Sequence, residues 1–545
     1  MTARSGLPPA GAGRQLPPLA LASLLAILAL FAVLGHEGRR VAQTLVLAAP
    51  MLAWLAWPVR HAGLARLRAV AAWLWIMAFV LDGSVRAYLL SAYQAAPESS
   101  FVLGAIANTG VREGSEYLVT QWRPLTLWTL LSVSAAVLVW RLIAQARPAP
   151  QARPSRWIMA GLALVVVIGA VGHASKPWRR LHPVAFWPDW GRSVAALRDN
   201  WADEQHERDE ALRRALLDRP TVAWAGRSTV VMVISDSINR DNLSLYGYRR
   251  PTTPRLAALK EMEGERMLVL RNAWSADAST LPALRNMMGF GAPGRPDARH
   301  LLALARAAGY KTFWMSNHDD VAVDQQHARL ADVVDLVNRT PGRSSASLDG
   351  GLLDCLQEAM HDPAGRKFIV VHLQGAHPHY GLRFPAGFAP FDAAADAVEA
   401  DLVRSGRSLW LRRFRQQYDA ALLYHDFVVA EMLHTTRAEG RADDRRAFVY
   451  LSDHGQEVGH ESDRAGHSPG TAAGYRIPAI VWRSEPFADA ALISARPFRA
   501  DWVAWTMADL LGLDWAARQP GANVLDPAYA WQPPVLPIAV RSFTD

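Results

Sequence analysis

The sequence predicts a five-helix membrane-spanning front joined to an α/β domain with a mostly parallel central sheet. Three observations predict it. Residues 1–174 are dominated by long apolar runs, whereas charges and helix–strand alternation take over further on. Short β-branched and aromatic runs, the look of strands buried on both faces, recur after residue 227. Two of them, 230–234 and 447–451, lead directly into acidic loops, Ser235-Asp236-Ser237 and Ser452-Asp453-His454-Gly455.

The front comes first. A chain of 545 residues exceeds one ordinary domain. Runs at 17–35, 41–59, 69–90, 124–143 and 156–173 are each near the ~20-residue length that crosses a bilayer. The third run carries Asp82 and Arg86 four residues apart, so a helix sets them on one face as a compensating pair. Arg4 and Arg14 precede the first run, but no small-x-small cleavage site follows it and four more runs do, so it reads as a signal-anchor. Arg60, Arg66 and Arg68 after the second run, and Arg141, Arg147, Arg153 and Arg156 between the fourth and fifth, assign those loops to the cytoplasm. Arg39 and Arg40 in the first outer loop are outvoted. An N-terminus inside and five spans deliver the C-terminal part outside. Trp178, Trp187 and Trp190 then follow as an aromatic belt, residues 175–226 read as linker and interfacial helices, and 227–545 as the outer domain.

Charge excludes one class of partner. The net charge is +8 and the pI about 9.8. No nucleic-acid module is present in the sequence, and the arginines are dispersed or sit at span ends, which suits anionic membrane lipid and not nucleic acid. Cys355 is the only cysteine, so no intrachain disulfide forms and the outer domain must rely on its core.

In that domain the strand candidates are 230–234, 312–315, 368–372, 448–451 and 479–482, with helices at 254–261, 301–308, 350–361 and 412–435. The alternation predicts helices on both faces of a mostly parallel sheet. Such sheets present ligands beyond the carboxyl ends of their strands. Asp236, Asp453 and His454 fall there, and mixed oxygen and nitrogen donors suit zinc or manganese. His377 and His379 lie in the loop after 368–372, and His467 in the loop Arg464-Ala465-Gly466-His467-Ser468-Pro469. A lone histidine is more often structural than a ligand. His372, inside a strand, is read as structural, and His460 fits either role. The segment 275–288 reads as a loop entering a helix, with Asp277, Ser279 and Thr280 as candidate nucleophiles. A hydroxyl there meets the positive end of the helix dipole. The plain alternative, commoner when such residues stand alone, is that Ser279 and Thr280 cap the helix.

Longer motifs carry a resemblance. Ser235-Asp236-Ser237-Ile238-Asn239-Arg240, Leu243-Ser244-Leu245-Tyr246-Gly247-Tyr248, Thr252-Thr253-Pro254, the stretch 307–317, Val371-His372-Leu373-Gln374-Gly375-Ala376-His377 and Ser452-Asp453-His454-Gly455-Gln456-Glu457 together resemble the alkaline phosphatase superfamily. Within it they look like the bacterial phosphoethanolamine transferases that modify lipopolysaccharide, in their disulfide-poor branch. The resemblance implies an alkaline-phosphatase-like domain in the periplasm, anchored in the inner membrane. It implies one tightly bound zinc held by Asp236, Asp453, His454 and the Thr280 oxygen, with Thr280 as nucleophile. It places His377 and His467 beside the transferred phosphoryl group, where some relatives hold a second metal. Thr109 and Glu113, in the loop 108–117, align with residues that contact the lipid head group. The implied reaction moves phosphoethanolamine from phosphatidylethanolamine to lipid A phosphate or a core sugar through a phosphothreonine-type intermediate. The family usually has Gly-Glu-Ser where this chain has Ser235-Asp236-Ser237. Competing readings are a phosphoglycerol transferase, a sulfatase-like hydrolase and a non-catalytic lipid sensor. Leu284 stands where the hydrolase motif needs arginine, and a sensor loses ligands that this chain keeps.

Overall fold

The computed structural model describes residues 14–57, 59, 61–93, 95–99, 102, 103, 106, 118, 122–148, 155–291, 299–318, 326–338, 347–392, 395–439 and 444–544. Thr109 and Glu113 lie outside the described residues. The chain forms two compact units, Met1–Asn200 and Trp201–Asp545.

The first unit is a helical bundle: α1 (Pro18–Gly35), α2 (Arg39–Ala56), α3 (Ala62–Tyr93), α4 (Trp122–Ala144) and α5 (Arg156–Ala174), followed by α6 (Pro183–Leu217), whose residues after Asn200 belong to the second unit. Among the described residues four helices are long and apolar enough to cross a membrane: α1, Ala62–Ala92 of α3, α4 and α5. The run at 41–59 was expected to be a fifth apolar span. It is helical, but α2 opens on Arg39 and Arg40 and carries Gln43, Thr44 and Pro50, which dilute its apolar density below that of the others. α2 is nevertheless packed into the bundle, since a Cβ on Gly169 of α5 would collide with its Pro50.

Contacts define two ends of this bundle. At one end Arg14 and Gln15 pair antiparallel with Pro148 and Arg147, Leu16 N–H donates to Leu55 O, and Arg68 Nη1 donates to Trp54 O at 3.0 Å. At the other end Arg86 Nε donates to Asp82 Oδ1 (3.0 Å), His36 Nε2 lies 3.1 Å from Asp82 Oδ2, and Glu98 joins Arg86 and Arg40, each at 2.8 Å. Trp187 Nε1 also donates to Asp82 Oδ1. Successive helices therefore run antiparallel, α2 included. The expected Asp82–Arg86 pair forms and is buried. Removing Asp82 leaves buried Arg86 with Glu98 as its remaining acid and takes the acceptor from His36 and Trp187, so Asp82→Ala should cost about 3 kcal/mol of bundle stability. Chemical unfolding of the protein in micelles measures this, and a change within error would mean the pair carries no stability.

The second unit is built on one sheet that has, among the described residues, seven strands. They are β1 (Ser228–Ser235), β2 (Met267–Val269), β3 (Lys311–Ser316), β4 (Val333–Leu336), β5 (Arg366–His372), β6 (Arg445–Ser452) and β7 (Ala479–Arg483), in the order β2-β7-β6-β1-β5-β3-β4. β4, β3, β5, β1 and β6 are parallel, and only β7 is reversed against its neighbours β6 and β2. Strand alternation sends side chains to two cores. Val230, Met232 and Ile234 of β1 face the core that includes α8 (Thr280–Met288), α9 (Leu301–Ala307) and α12 (Val503–Leu510). Val231 and Val233 face the core of α7 (Pro254–Glu263), α10 (Leu352–His361) and α11 (Leu409–Ala438). With both faces covered β1 is buried throughout, each aliphatic side chain contributing roughly 1.5–3 kcal/mol. All five expected strands are present. The two additional ones, β2 and β4, are short and occupy the sheet edges.

Candidate active site

The carboxyl ends of β1, β5, β6 and β3 lie side by side. Ser235 of β1 is in register with Ser452 of β6, Ile234 with His372 of β5, and Ser316 of β3 with His372. The chain leaving β1 thus delivers Asp236 beside Asp453 and His454 leaving β6. Ser237 follows in the left-handed region, φ +64°, and turns its amide onto Asp453.

Each of the three metal-ligand candidates is fully buried, and each offers one atom within 4.8 Å of the others. Asp453 Oδ1 accepts from Ser237 N–H at 3.2 Å and His454 N–H at 2.6 Å, which leaves Oδ2 with no hydrogen bond among the described residues. His454 Nδ1 lies 2.8 Å from Gly455 O and donates to it, so the lone pair sits on Nε2, which is also without a hydrogen bond there. That is the orientation a metal-binding imidazole takes when its other nitrogen is fixed by a carbonyl. His454 Nε2 is 3.6 Å from Asp453 Oδ2 and 3.9 Å from Asp236 Oδ1. Thr280 Oγ1 donates to Asp236 Oδ2 at 3.0 Å and completes the set. Two buried carboxylates, a lone-pair nitrogen and a hydroxyl converging on one point fit zinc.

The electrostatics agree. Burial, aided by the charge of Asp236, pushes the Asp453 carboxyl up to about 7. Burial also opposes ionisation of Asp236, but His377, His454 and His318 together outweigh it and hold that carboxyl below its usual range. Burial lowers His454, and Asp453 and Asp236 more than reverse this. The cluster holds protons that a divalent cation would replace.

His377 and His467 converge on Asp236 from another side, with ligand atoms of all three within 4.8 Å. The His467 ring lies 4.6 Å from that of His454, and its Nε2 is 3.4 Å from Ser237 Oγ. The structure separates the three nucleophile candidates. Thr280 is the first helical residue of α8 and bonds Asp236. Ser279 is exposed and makes no capping bond, and Asp277 is taken up by Asn286 Nδ2 at 2.6 Å. His460 is bonded to Asn242 Oδ1 at 2.7 Å and is structural. His372 is buried behind the site, and His379 belongs to neither ligand group among the described residues. Leu284 is wholly buried in the core face of α8, so that position projects nothing into the site.

One residue escaped the sequence reading. His318 is the second residue past β3, and its Nε2 lies 3.4 Å from Asp236 Oδ2. The rule that picked out Asp236, polar residues just past a parallel strand, applies equally to Ser316-Asn317-His318.

With this geometry in hand, the class is a metal-dependent enzyme of the sulfatase type. The sulfatase family model matches residues 228–513, more than half of the chain, and the chain belongs to that family. The phosphoethanolamine transferase EptC of Escherichia coli (strain K12) is 27% identical over 467 residues, covering 79% of this chain and 78% of the relative. Phosphoethanolamine transferase CptA of Salmonella typhimurium is 26% identical over 501 residues, covering 85% and 83%. The crystal structure of the C-terminal periplasmic domain of Escherichia coli EptC in complex with zinc matches at 28% identity with a TM-score of 0.52, covering 57% of this chain and 90% of that one. The resemblance drawn from the motifs stands.

Because protons compete with the metal on Asp453, apparent zinc affinity should rise as the pH is raised through about 7. Chelator competition across that range checks it, alongside Asp453→Ala, which should lower zinc content. A flat profile together with unchanged zinc in the variant would remove Asp453 from the ligand set.

Proposed function

We propose that this chain transfers phosphoethanolamine from phosphatidylethanolamine to a lipopolysaccharide acceptor, lipid A phosphate or core sugar, at the outer face of a bacterial inner membrane. The relatives named as phosphoethanolamine transferases match over most of their length, helical front included. The observation that carries the reading is Thr280: a hydroxyl at a helix N-terminus, bonded to an acid of the metal-fitting cluster.

The transfer runs in two displacements. Thr280 Oγ1 forms a bond to the donor phosphorus while the bond from phosphorus to the diacylglycerol oxygen breaks. Asp236 Oδ2, 3.0 Å away, accepts the hydroxyl hydrogen bond beforehand and orients it, and as the new bond forms the hydroxyl proton passes to the His377–His467 pair. His377 or His467 gives a proton to the leaving alkoxide. The acceptor oxygen then takes the phosphorus from Thr280, which regains its hydroxyl. Zinc held by Asp236, Asp453, His454 and Thr280 supplies positive charge that lowers the hydroxyl pKa and offsets charge on the phosphoryl oxygens. One tightly bound zinc is the resting complement, with Asp236, His377 and His467 as the place for a second metal. Thr109 and Glu113 are assigned to the lipid head group.

Domains follow: membrane domain 1–174, linker 175–226, periplasmic catalytic domain 227–545. α2 is the fifth span, since the antiparallel order of the helices leaves both bundle ends consistent only if it traverses. Reporter fusions after Arg60 and Arg147 should read cytoplasm, and fusions after Ala96 and Pro220 should read outside. A cytoplasmic signal after Pro220 would rule out a donor in the outer leaflet.

The nucleophile gives the sharpest test. Thr280→Ala should eliminate transfer, whereas Ser279→Ala should leave most of it. Enzyme incubated with donor lipid and no acceptor should carry a phosphoethanolamine adduct on Thr280, read by intact mass and peptide mapping. An adduct on Ser279 would move the central role to that residue.

A further inference from the structure

None of the steps above uses His318, yet it is built against Asp236. Its side chain is almost wholly buried, and its backbone N–H donates to Ser316 Oγ at 3.0 Å. Its ring lies flat on that of His372, centroids 4.2 Å apart and planes 11° apart. His372, buried at the end of β5, is thus the platform that fixes the ring from behind. Held this way, His318 brings Nε2 to 3.4 Å from Asp236 Oδ2, an approach short of a hydrogen bond, and that nitrogen has no hydrogen-bond partner among the described residues. Oδ2 is also the oxygen that accepts from Thr280.

That sharing has a chemical consequence. Once Thr280 Oγ1 is bonded to phosphorus it has no proton to donate, and Asp236 Oδ2 loses its donor inside a buried site. A buried acceptor stripped of its donor is destabilised. We infer that His318 is a positioning residue for Asp236, whose Nε2–H donates to Oδ2 and keeps the carboxylate oriented toward the zinc ligands when Thr280 no longer does. On Oδ1 the hydroxyl of Ser237 has the matching role. The inference rests on the reading of Asp236 and Thr280 given above.

The test is zinc affinity of the full-length protein, by chelator competition, for two variants. His318→Phe keeps a flat ring for the stack on His372 but has no donor. His318→Gln places an amide N–H at similar reach. Loss of an outer-shell partner typically costs about 10–100-fold in metal affinity, so the Phe variant should weaken zinc by that order while Gln stays close to the unchanged protein. The loss should be larger in a Thr280→Ala background, where His318 is the remaining donor of the two. Phe and Gln variants that bind zinc equally would overturn the inference, as would a Phe penalty that Thr280→Ala leaves unaltered. Asp236→Ala separates the two levels of failure. If it loses zinc while His318→Phe does not, only the role of His318 falls. If it keeps zinc, the ligand set falls, and this role with it.

Discussion

The parallel pairing of β1 with β6 is the constraint on which the candidate site depends. The two strands stay in register from Ser228 opposite Arg445 to Ser235 opposite Ser452. A slip of one residue would exchange the two core faces of β1, since its side chains alternate between them. The same register puts Asp236 and Asp453, more than two hundred residues apart in the chain, at adjacent strand ends. The turns are then locked across the pair: Asp453 N–H donates to Ser235 O at 2.9 Å, and Ile238 N–H to Ser452 Oγ at 2.9 Å. β5 adds the third wall. Gly375, at φ +52°, passes so close that a Cβ would lie 2.6 Å from Asp236 O, which leaves no side chain but hydrogen for that position.

The loop carrying His377 is held by a different buried acid. Asp349 accepts from Gln374 N–H and Asn317 Nδ2 on one oxygen and from Gly375 N–H on the other. Asn317 immediately precedes His318, so one carboxylate ties the turn after β3 to the turn after β5. This arrangement explains why residues from two loops meet Asp236. It also distinguishes Asp349 from Asp453: all the donors to Asp349 are fixed protein groups, while Asp453 keeps one oxygen without any.

Much of this was readable in the residues, for physical reasons that also mark where reading stopped. β1, β5 and β6 are covered on both faces, so their apolar runs are continuous and conspicuous. β2 and β4 are three or four residues long at the sheet edges, too short for a pattern to emerge. The apolar signal is weakest at α2, where Arg39, Arg40 and Gln43 lower the hydropathy of a helix against which α5 packs closely. Asp236, Asp453 and His454 were legible because short loops follow strongly patterned strands. The residues alone left Ser279 and Thr280 open and the family resemblance favoured Thr280; the helix phase adds the geometry, N1 turning its hydroxyl to Asp236 while the N-cap Ser279 is exposed. His318 was overlooked because an isolated histidine has a structural role more often than not, and its meaning comes from a stack on His372 that no spacing encodes.

Comparing the buried charges of the two units shows which of them call for a ligand. In the helical bundle Asp82 and Glu98 are both met by Arg86, and Glu98 by Arg40 as well, so the anionic charge is answered by guanidinium within the protein. Such a set is complete as it stands, and its consequence is to fix the helix ends at that side of the bundle. The cluster at the ends of β1 and β6 has two carboxylates, with no lysine or arginine paired to either among the described residues. Its compensation comes from protons on histidines, which Asp453 and Asp236 favour at His454, and from amides that saturate only one oxygen of Asp453. Burying that much negative charge without a fixed cation is costly, and the cost is removed when a divalent ion takes the place of the protons. The imbalance is therefore a property to be expected of a metal centre, whereas the balanced network of the bundle is a property of scaffold.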